Sequence, residues 1–166
     1  MSGIASVTSG SPFSAVFNTD NAGVANGVAG AGSRPDLVGN PHSGPFPAPD
    51  TANGFAKVLY NPNVFVQPVG LTFGNAGRNI LRNPRRTNFD MAFFKHFAIK
   101  ESVAFEFRAE AFNVFNHTEW GNIAGSAGSA GGGGGSNNNV STSTGFLQIS
   151  SAHNPRILQL GAKFIF

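Results

Sequence analysis

The sequence predicts an all-β protein, in which the last few antiparallel strands of a transmembrane β-barrel wall are joined by long irregular extracellular loops. Three observations favour this fold class. Late segments of the chain alternate apolar and polar residues, as half-buried strands do. Only 11% of the 166 residues are charged, although 17 are phenylalanine. Finally, the 22 glycines and 10 prolines leave few residues for the core of a soluble domain, whereas lipid accepts exposed phenylalanine rings.

The last predicted strand covers residues 156–166. One face carries Leu158, Leu160, Ala162, Phe164 and Phe166, and the other carries Gln159, Gly161 and Lys163. The segment has about the 9 to 11 residues that a tilted strand needs to cross a bilayer. Gln159, Gly161, Phe164 and Phe166 form a polar-x-Gly-x-x-aromatic-x-aromatic pattern, which resembles the terminal signature of outer-membrane β-barrel proteins. This resemblance implies a signal for the barrel-assembly machinery.

Two further strands are predicted over residues 88–99 and 102–115, joined by a tight turn facing the periplasm. A helical interpretation fails, because Phe105 and Phe107 would lie about 200° apart on a helix. We expect the following residues to face the membrane: Phe89, Met91, Phe93, Phe97, Val103, Phe105, Phe107, Leu158, Leu160, Phe164 and Phe166. We expect Asp90, Glu106, Arg108, Glu110, Gln159 and Lys163 to face the barrel lumen. Lys95 falls on the apolar side, where snorkelling toward the interface would accommodate its charge.

The remaining segments are predicted to be irregular. Residues 1–17 are interpreted as the end of a strand and a turn, residues 18–87 as a long loop region, and residues 121–143 as a glycine-rich loop within the barrel segment 88–166. Short strands are expected near residues 58–60, 64–66 and 145–150. Strands at 3–8, 88–99, 102–115 and 156–166, alternating in direction, would place all long loops on one side. Outer-membrane barrels carry their long loops on the outer side.

Residue types that carry chemistry do not fall into a catalytic, cofactor-binding or metal-binding pattern. His42, His96, His117 and His153 lack the close spacing of metal ligands, and the chain has no cysteine. Arg108 stands between Glu106 and Glu110, which favours a charge ladder facing a lumen over an acid–base pair. The scattered basic residues argue against nucleic acid as a partner. Arg78, Arg82, Arg85 and Arg86 form either a solvated basic loop or a contact to lipopolysaccharide.

Several phrases follow one another along nearly the whole chain. They are residues 9–13 (SGSPF), 34–41 (RPDLVGNP), 73–79 (FGNAGRN), 88–90 (NFD), 105–117 (FEFRAEAFNVFNH) and 154–156 (NPR). In this order they resemble the carboxyl end of the TonB-dependent receptor relatives called Oar-like transporters, and the phrase at 105–117 is the most specific. The resemblance implies a carboxypeptidase-regulatory-like domain, a plug and a barrel of about twenty-two strands, of which this chain supplies the last few. Residues 83–86 (NPRR) and the glycine tract depart from the family pattern.

These features predict a carboxyl-terminal fragment of an Oar-like receptor in the bacterial outer membrane, serving as structural wall without catalysis or cofactor. The first residues lack the basic and apolar regions of a secretory signal, so the export signal is expected upstream. Expected partners are outer-membrane lipid, the barrel-assembly machinery, and the missing upstream barrel and plug. The alternative is a self-assembling β-rich protein that forms oligomers or extracellular filaments by strand exchange, since about four strands cannot close a barrel and leave edges unpaired.

Overall fold

The computed structural model of the chain describes residues 1–16, 23, 34–123 and 145–166. These residues form antiparallel β-strands and two short 3₁₀ helices, Thr51–Asn53 and Pro62–Val64. The strands in chain order are β1 (Ser2–Thr8), β2 (Pro12–Phe13), β3 (Asp36–Leu37), β4 (Lys57–Val58), β5 (Phe65–Val66), β6 (Leu81–Arg82), β7 (Arg86–Lys100), β8 (Val103–Phe112), β9 (Gln148–Ile149) and β10 (Ile157–Ile165). The predicted all-β, antiparallel fold class is confirmed. Within the described ranges, no helix has the length and apolar character to span a bilayer.

The long strands belong to the first of two compact units, which comprises residues 1–8, 85–119 and 152–166. They form a sheet of order β1-β7-β8-β10, in which every neighbouring pair is antiparallel. The segments predicted as strands at 3–8, 88–99, 102–115 and 156–166 contain β1, β7, β8 and β10. The sheet is open rather than closed into a barrel, because β1 and β10 each pair on one side only within the described residues.

The hairpin of β7 and β8 follows from its local sequence. Strand β7 runs for 15 residues without glycine or proline and is rich in phenylalanine, which favours an extended strand. The turn lies at Glu101 and Ser102. Just before it the register shifts between Ala98 and Lys100, so that Ile99 is the extra residue of a bulge and Lys100 lies opposite Val103.

At its other end, β8 stops earlier than the sequence predicts. The strand was expected to continue to residue 115, but it ends at Phe112. The physical reason is Asn113, whose φ of 50° is incompatible with extended backbone. The prediction of a strand over residues 113–115 is therefore wrong.

The second unit comprises the described residues within 9–84 and 120–151 and has its own hydrophobic core. Its strands pair as three two-stranded ribbons, β2 with β6, β3 with β5, and β4 with β9. The core contains Phe13, Ala15, Tyr60, Phe65, Leu81, Ile123, Phe146, Leu147 and Ile149. The rings of Phe65 and Phe146 meet edge to face with centroids 5.6 Å apart. Short strands were expected near 58–60, 64–66 and 145–150, and strands β4, β5 and β9 lie in or beside those segments.

Polar side chains hold the irregular backbone of this second unit together. The Tyr60 hydroxyl donates to the Arg82 carbonyl oxygen at 2.6 Å and accepts from the Arg82 amide at 2.9 Å. The Asn83 side chain accepts from the Ile123 amide at 3.0 Å and donates to Ser11 Oγ at 3.0 Å. The region expected as a long loop at 18–87 thus contributes to a packed core that the sequence analysis did not foresee. Residues 18–22 and 24–33 of that region, and residues 124–143 of the predicted glycine-rich loop, lie outside the described residues.

Candidate functional site: a two-faced sheet and an asparagine corner

The register of the four-stranded sheet gathers apolar residues on one side, called here the apolar face. Residues directly opposite each other in an antiparallel sheet point to the same side. The rows across β7, β8 and β10 are Phe97, Phe105 and Phe164; Lys95, Phe107 and Ala162; Phe93, Ala109 and Leu160; and Met91, Ala111 and Leu158. On the far side of β7, Gly3 lies opposite Met91 and Ala5 opposite Phe89. Lys95 is the one charged member of these rows.

Ring contacts across the strands support this arrangement of the apolar face. The Phe105 ring stacks on Phe97 with centroids 6.0 Å apart and packs against Phe164 at 4.9 Å. Nearer the other end of the sheet, Phe89 meets Phe115 edge to face at 5.2 Å. Aromatic pairs at such separations stabilise a sheet beyond the area they bury. The three-ring row marks the hairpin end of the apolar face.

The opposite side, called here the polar face, carries the charged residues of the sheet other than Lys95 and Lys100. Its rows across β7, β8 and β10 are His96, Glu106 and Lys163; Phe94, Arg108 and Gly161; and Ala92, Glu110 and Gln159. Arg108 Nη2 forms an ion pair with Glu110 on the same strand, and its guanidinium lies 5.1 Å from the Phe94 ring centroid. Both signs of charge therefore alternate along the polar face, as in a ladder.

The residues of the four strands, β1, β7, β8 and β10, lie at exposed or half-buried positions. On the apolar face Leu160 is 73% exposed and Phe164 is 63% exposed. Large exposed apolar areas of this kind mark a surface that contacts another molecule or a membrane.

The sheet brings together the residues that the sequence analysis grouped by face. Among the residues expected to face the membrane, those within the strands all lie on the apolar face, while Phe166 follows the last residue of β10. Asp90, Glu106, Arg108, Glu110, Gln159 and Lys163 lie on the polar face. The predicted assembly signal is divided, with Gln159 and Gly161 on the polar face and Phe164 on the apolar face. Contact of either face with lipid or with a lumen stays a prediction.

At the end of the sheet away from the hairpin, the hydrogen bonds of two asparagines connect the segment after β8 to β7 and to the segment before β10. We call this region the asparagine corner: residues 113–119, Asp90 and Arg86 of β7, and residues 153–156. Asn113 and Asn116 have φ angles of 50° and 51°, which asparagine tolerates better than most residues. The Asn113 amide donates to Asp90 Oδ1 at 3.0 Å, and its Nδ2 donates to the carbonyl oxygens of His117 at 3.2 Å and Asn154 at 3.3 Å. Asn116 Oδ1 accepts from the Arg156 amide at 3.0 Å.

A buried carboxylate completes the asparagine corner. The Glu119 side chain is only 3% exposed, and its Oε2 accepts from Arg86 Nε at 2.9 Å. Its second oxygen, Oε1, faces His117 Nε2 at 3.6 Å. The Glu119 carbonyl oxygen accepts from the His153 amide at 2.8 Å. Because a buried carboxylate needs a partner for its charge, Arg86 at the start of β7 ties the sheet to the chain that follows β8.

The sequence analysis did not predict the asparagine corner. Its residues were divided among the end of a predicted strand, the basic segment and a loop. One signal was present, because Asn113 and Asn116 stand where the alternation of β8 ceases, and asparagine is enriched at positive φ. The partners Glu119 and Asn154 carried no such signal, because they meet the corner only through the fold.

The histidines and the basic segment occupy separate environments. His96 lies on the polar face, His117 and His153 lie in the corner, and the His42 ring meets the Tyr60 ring at 5.0 Å in the second unit. Across the described ranges, no group of three or more histidine or acidic side chains is positioned for a metal ion. In the predicted basic segment, Arg86 pairs with Glu119, and Arg82 Nη1 lies 3.4 Å from the Gly10 carbonyl oxygen.

An open antiparallel sheet with one apolar and one charged face is the form of a segment of barrel wall. In agreement, the sequence of residues 1–159 matches a protein family described as "Outer membrane beta barrel domain". The chain therefore belongs to the outer membrane beta barrel domain family, which indicates the outer membrane as its location. Comparison with curated proteins and with solved structures finds no match for the chain.

Proposed function

We propose that the chain forms part of the wall of an outer-membrane β-barrel, with the apolar face toward lipid and the polar face toward the lumen. The observation that carries the proposal is the register, which sorts the late phenylalanines and leucines from the charged residues. Apolar surface left in water is unfavourable by about 25 cal/mol per Å². Lipid contact would remove that cost for side chains as exposed as Leu160 and Phe164, and a wet lumen would solvate the ladder of Glu106, Arg108 and Glu110.

We propose further that this wall belongs to an Oar-like, TonB-dependent receptor, of which the chain forms the last strands. Support comes from the phrases at 105–117 and 154–156, which resemble the carboxyl end of such receptors in their sequence and order. The outer edges of β1 and β10 are then available to the remaining strands of the barrel. Transport of a ligand and coupling to TonB would reside in the plug and upstream barrel, and this segment would be structural, without catalysis.

Flotation with lipid vesicles tests whether the chain inserts into a membrane as part of a barrel wall. The full chain, unfolded in urea, is diluted into phosphatidylcholine vesicles and separated on a density gradient, followed by protease digestion. We expect the chain to float and β7, β8 and β10 to resist the protease, because lipid covers one face of these strands. Filaments in electron micrographs of the detergent-free chain, with no flotation, would favour strand exchange and would refute the wall.

The receptor identity has a separate test. Sequencing the coding region upstream of Met1 should reveal a continuous reading frame with a plug and about eighteen further alternating segments, given barrels of about twenty-two strands. A stop codon directly before Met1, with a ribosome-binding site of its own, would contradict the receptor while leaving the wall proposal intact.

A further inference from the structure

We infer that Lys95 forms, with the phenylalanines beside it, a binding site for the phosphate of an anionic phospholipid headgroup. The inference rests on the proposed wall function, and it names a lipid class at one position of that wall. A charged residue on a face that meets hydrocarbon is unfavourable unless its side chain reaches the interface, and there the charge is available to a lipid headgroup.

Within the four described strands of the sheet, no acidic side chain lies on the same face as Lys95. Lys95 lies opposite Phe107, and the next residue in that row is Ala162. All acidic residues of the four strands, namely Asp90, Glu106 and Glu110, lie on the polar face. Lys100, which lies opposite Val103 because of the bulge, adds a second positive charge to the apolar face near the hairpin. The charge of this face therefore complements an anion.

The side chain of Lys95 is directed toward the hairpin end of the apolar face. Its Nζ lies 5.6 Å from the ring centroid of Phe97, which is two residues closer to the hairpin. Two residues of a strand span about 7 Å. The ammonium group thus lies beside the row formed by Phe97, Phe105 and Phe164. Aromatic rows of barrels lie at the membrane–water interface, where lipid phosphates are found.

An anionic lipid fits this position better than a zwitterionic one. The headgroup of phosphatidylcholine carries its own cation, which two lysines on the same face would repel. Phosphatidylglycerol offers a phosphate without that cation, and each lysine near a membrane surface favours anionic lipid by about five-fold. The stacked ring of Phe97 restricts the Lys95 side chain, so less freedom is lost when the phosphate binds.

The test compares flotation of the full chain with vesicles of phosphatidylcholine and with an equimolar mixture of phosphatidylcholine and phosphatidylglycerol. Three variants are used: K95M, K95R, and K163M as the matched control on the polar face. We expect K95M to bind pure phosphatidylcholine more strongly than the wild type, since a charge leaves the apolar face. We also expect K95M to lose about five-fold in its preference for the mixture. K95R should retain the preference, and K163M should lose less than K95M.

The outcomes separate this inference from the wall proposal. A wild-type chain that floats with neither vesicle would contradict the wall itself. If the chain floats and K95M and K163M lose the same preference for anionic vesicles, that preference comes from the net charge of the chain. This result would overturn the lipid site and leave the wall proposal intact. If K95M abolishes dimers of the chain but leaves its lipid preference unchanged, Lys95 contacts a second copy of the chain, and the lipid site is overturned. Should K95M fail to fold, nuclear magnetic resonance of the wild type replaces it. Transfer of magnetisation between lipid ³¹P and the ¹⁵Nζ of Lys95 is expected if the lysine binds the phosphate, and its absence would overturn the lipid site.

Discussion

Asn113 Nδ2 donates to the carbonyl oxygen of Asn154 at a distance of 3.3 Å. This bond joins the chain that leaves β8 to the chain that leads into β10, although the two residues are 41 positions apart. Between them in sequence lie residues 120–123 and 145–151 of the second unit, together with residues outside the described ranges. Bringing the ends of so long a segment together costs conformational entropy. The hydrogen bond from Asn113 to Asn154 offsets part of that cost at the point where β8 ends and the chain enters β10.

Substitution of Asn113 separates its two contributions, the positive φ and the side-chain hydrogen bonds. We expect N113G to destabilise the chain by about 1–2 kcal/mol, because glycine keeps the φ but loses the bonds to His117 and Asn154. N113A should cost about 1 kcal/mol more, since alanine also disfavours the left-handed backbone. Urea unfolding in detergent micelles, followed by the fluorescence of the single tryptophan Trp120, measures both values. Equal effects of the two substitutions would show that the backbone conformation contributes nothing.

The ion pair of Arg86 and Glu119 should contribute more than other charge pairs of the sheet. The Glu119 side chain is 3% exposed and the Arg86 side chain 47%, whereas Glu110 and Arg108 are 14% and 56% exposed, so both partners of the second pair are more accessible to water. A double-mutant cycle of R86A and E119A should give a coupling of about 2 kcal/mol. The matched cycle of R108A and E110A should give less than about 1 kcal/mol, because water screens an exposed pair.

The free energies of unfolding of the two single variants give a second test of the Arg86–Glu119 ion pair. R86A leaves a buried carboxylate without its cation, and such an uncompensated charge costs about 3–5 kcal/mol. E119A leaves an arginine that reaches water and should cost less. The same unfolding measurement decides, and a larger loss in E119A than in R86A would contradict burial as the source of the coupling.

The sequence was sufficient to predict the two faces of the sheet, and insufficient for the corner and the second unit. Alternation is a local property of a strand, so Phe105 and Glu106 reveal their opposite sides without knowledge of the partner strands. The bond from Asn113 to Asn154 depends on contacts distant in sequence. In the second unit, Leu81 and Ile149 lie in strands of two residues each, which are too short to show any period. Their burial depends on packing that no local pattern encodes.

The last prediction concerns adjacent residues of β10 that point to opposite sides. Leu160 lies opposite Ala109 on the apolar face, and Gln159 lies opposite Glu110 on the polar face. In phosphatidylcholine vesicles, L160K should weaken insertion by about 2–4 kcal/mol if the residue lies near the bilayer centre. Q159K should insert as well as the wild type, because the new lysine stands opposite a glutamate in the lumen. In buffer without lipid the order should reverse, since L160K removes an exposed apolar side chain and should remain soluble at higher concentration. Flotation and sedimentation measure the two arms, and equal behaviour of L160K and Q159K in vesicles would mean that the apolar face does not meet lipid.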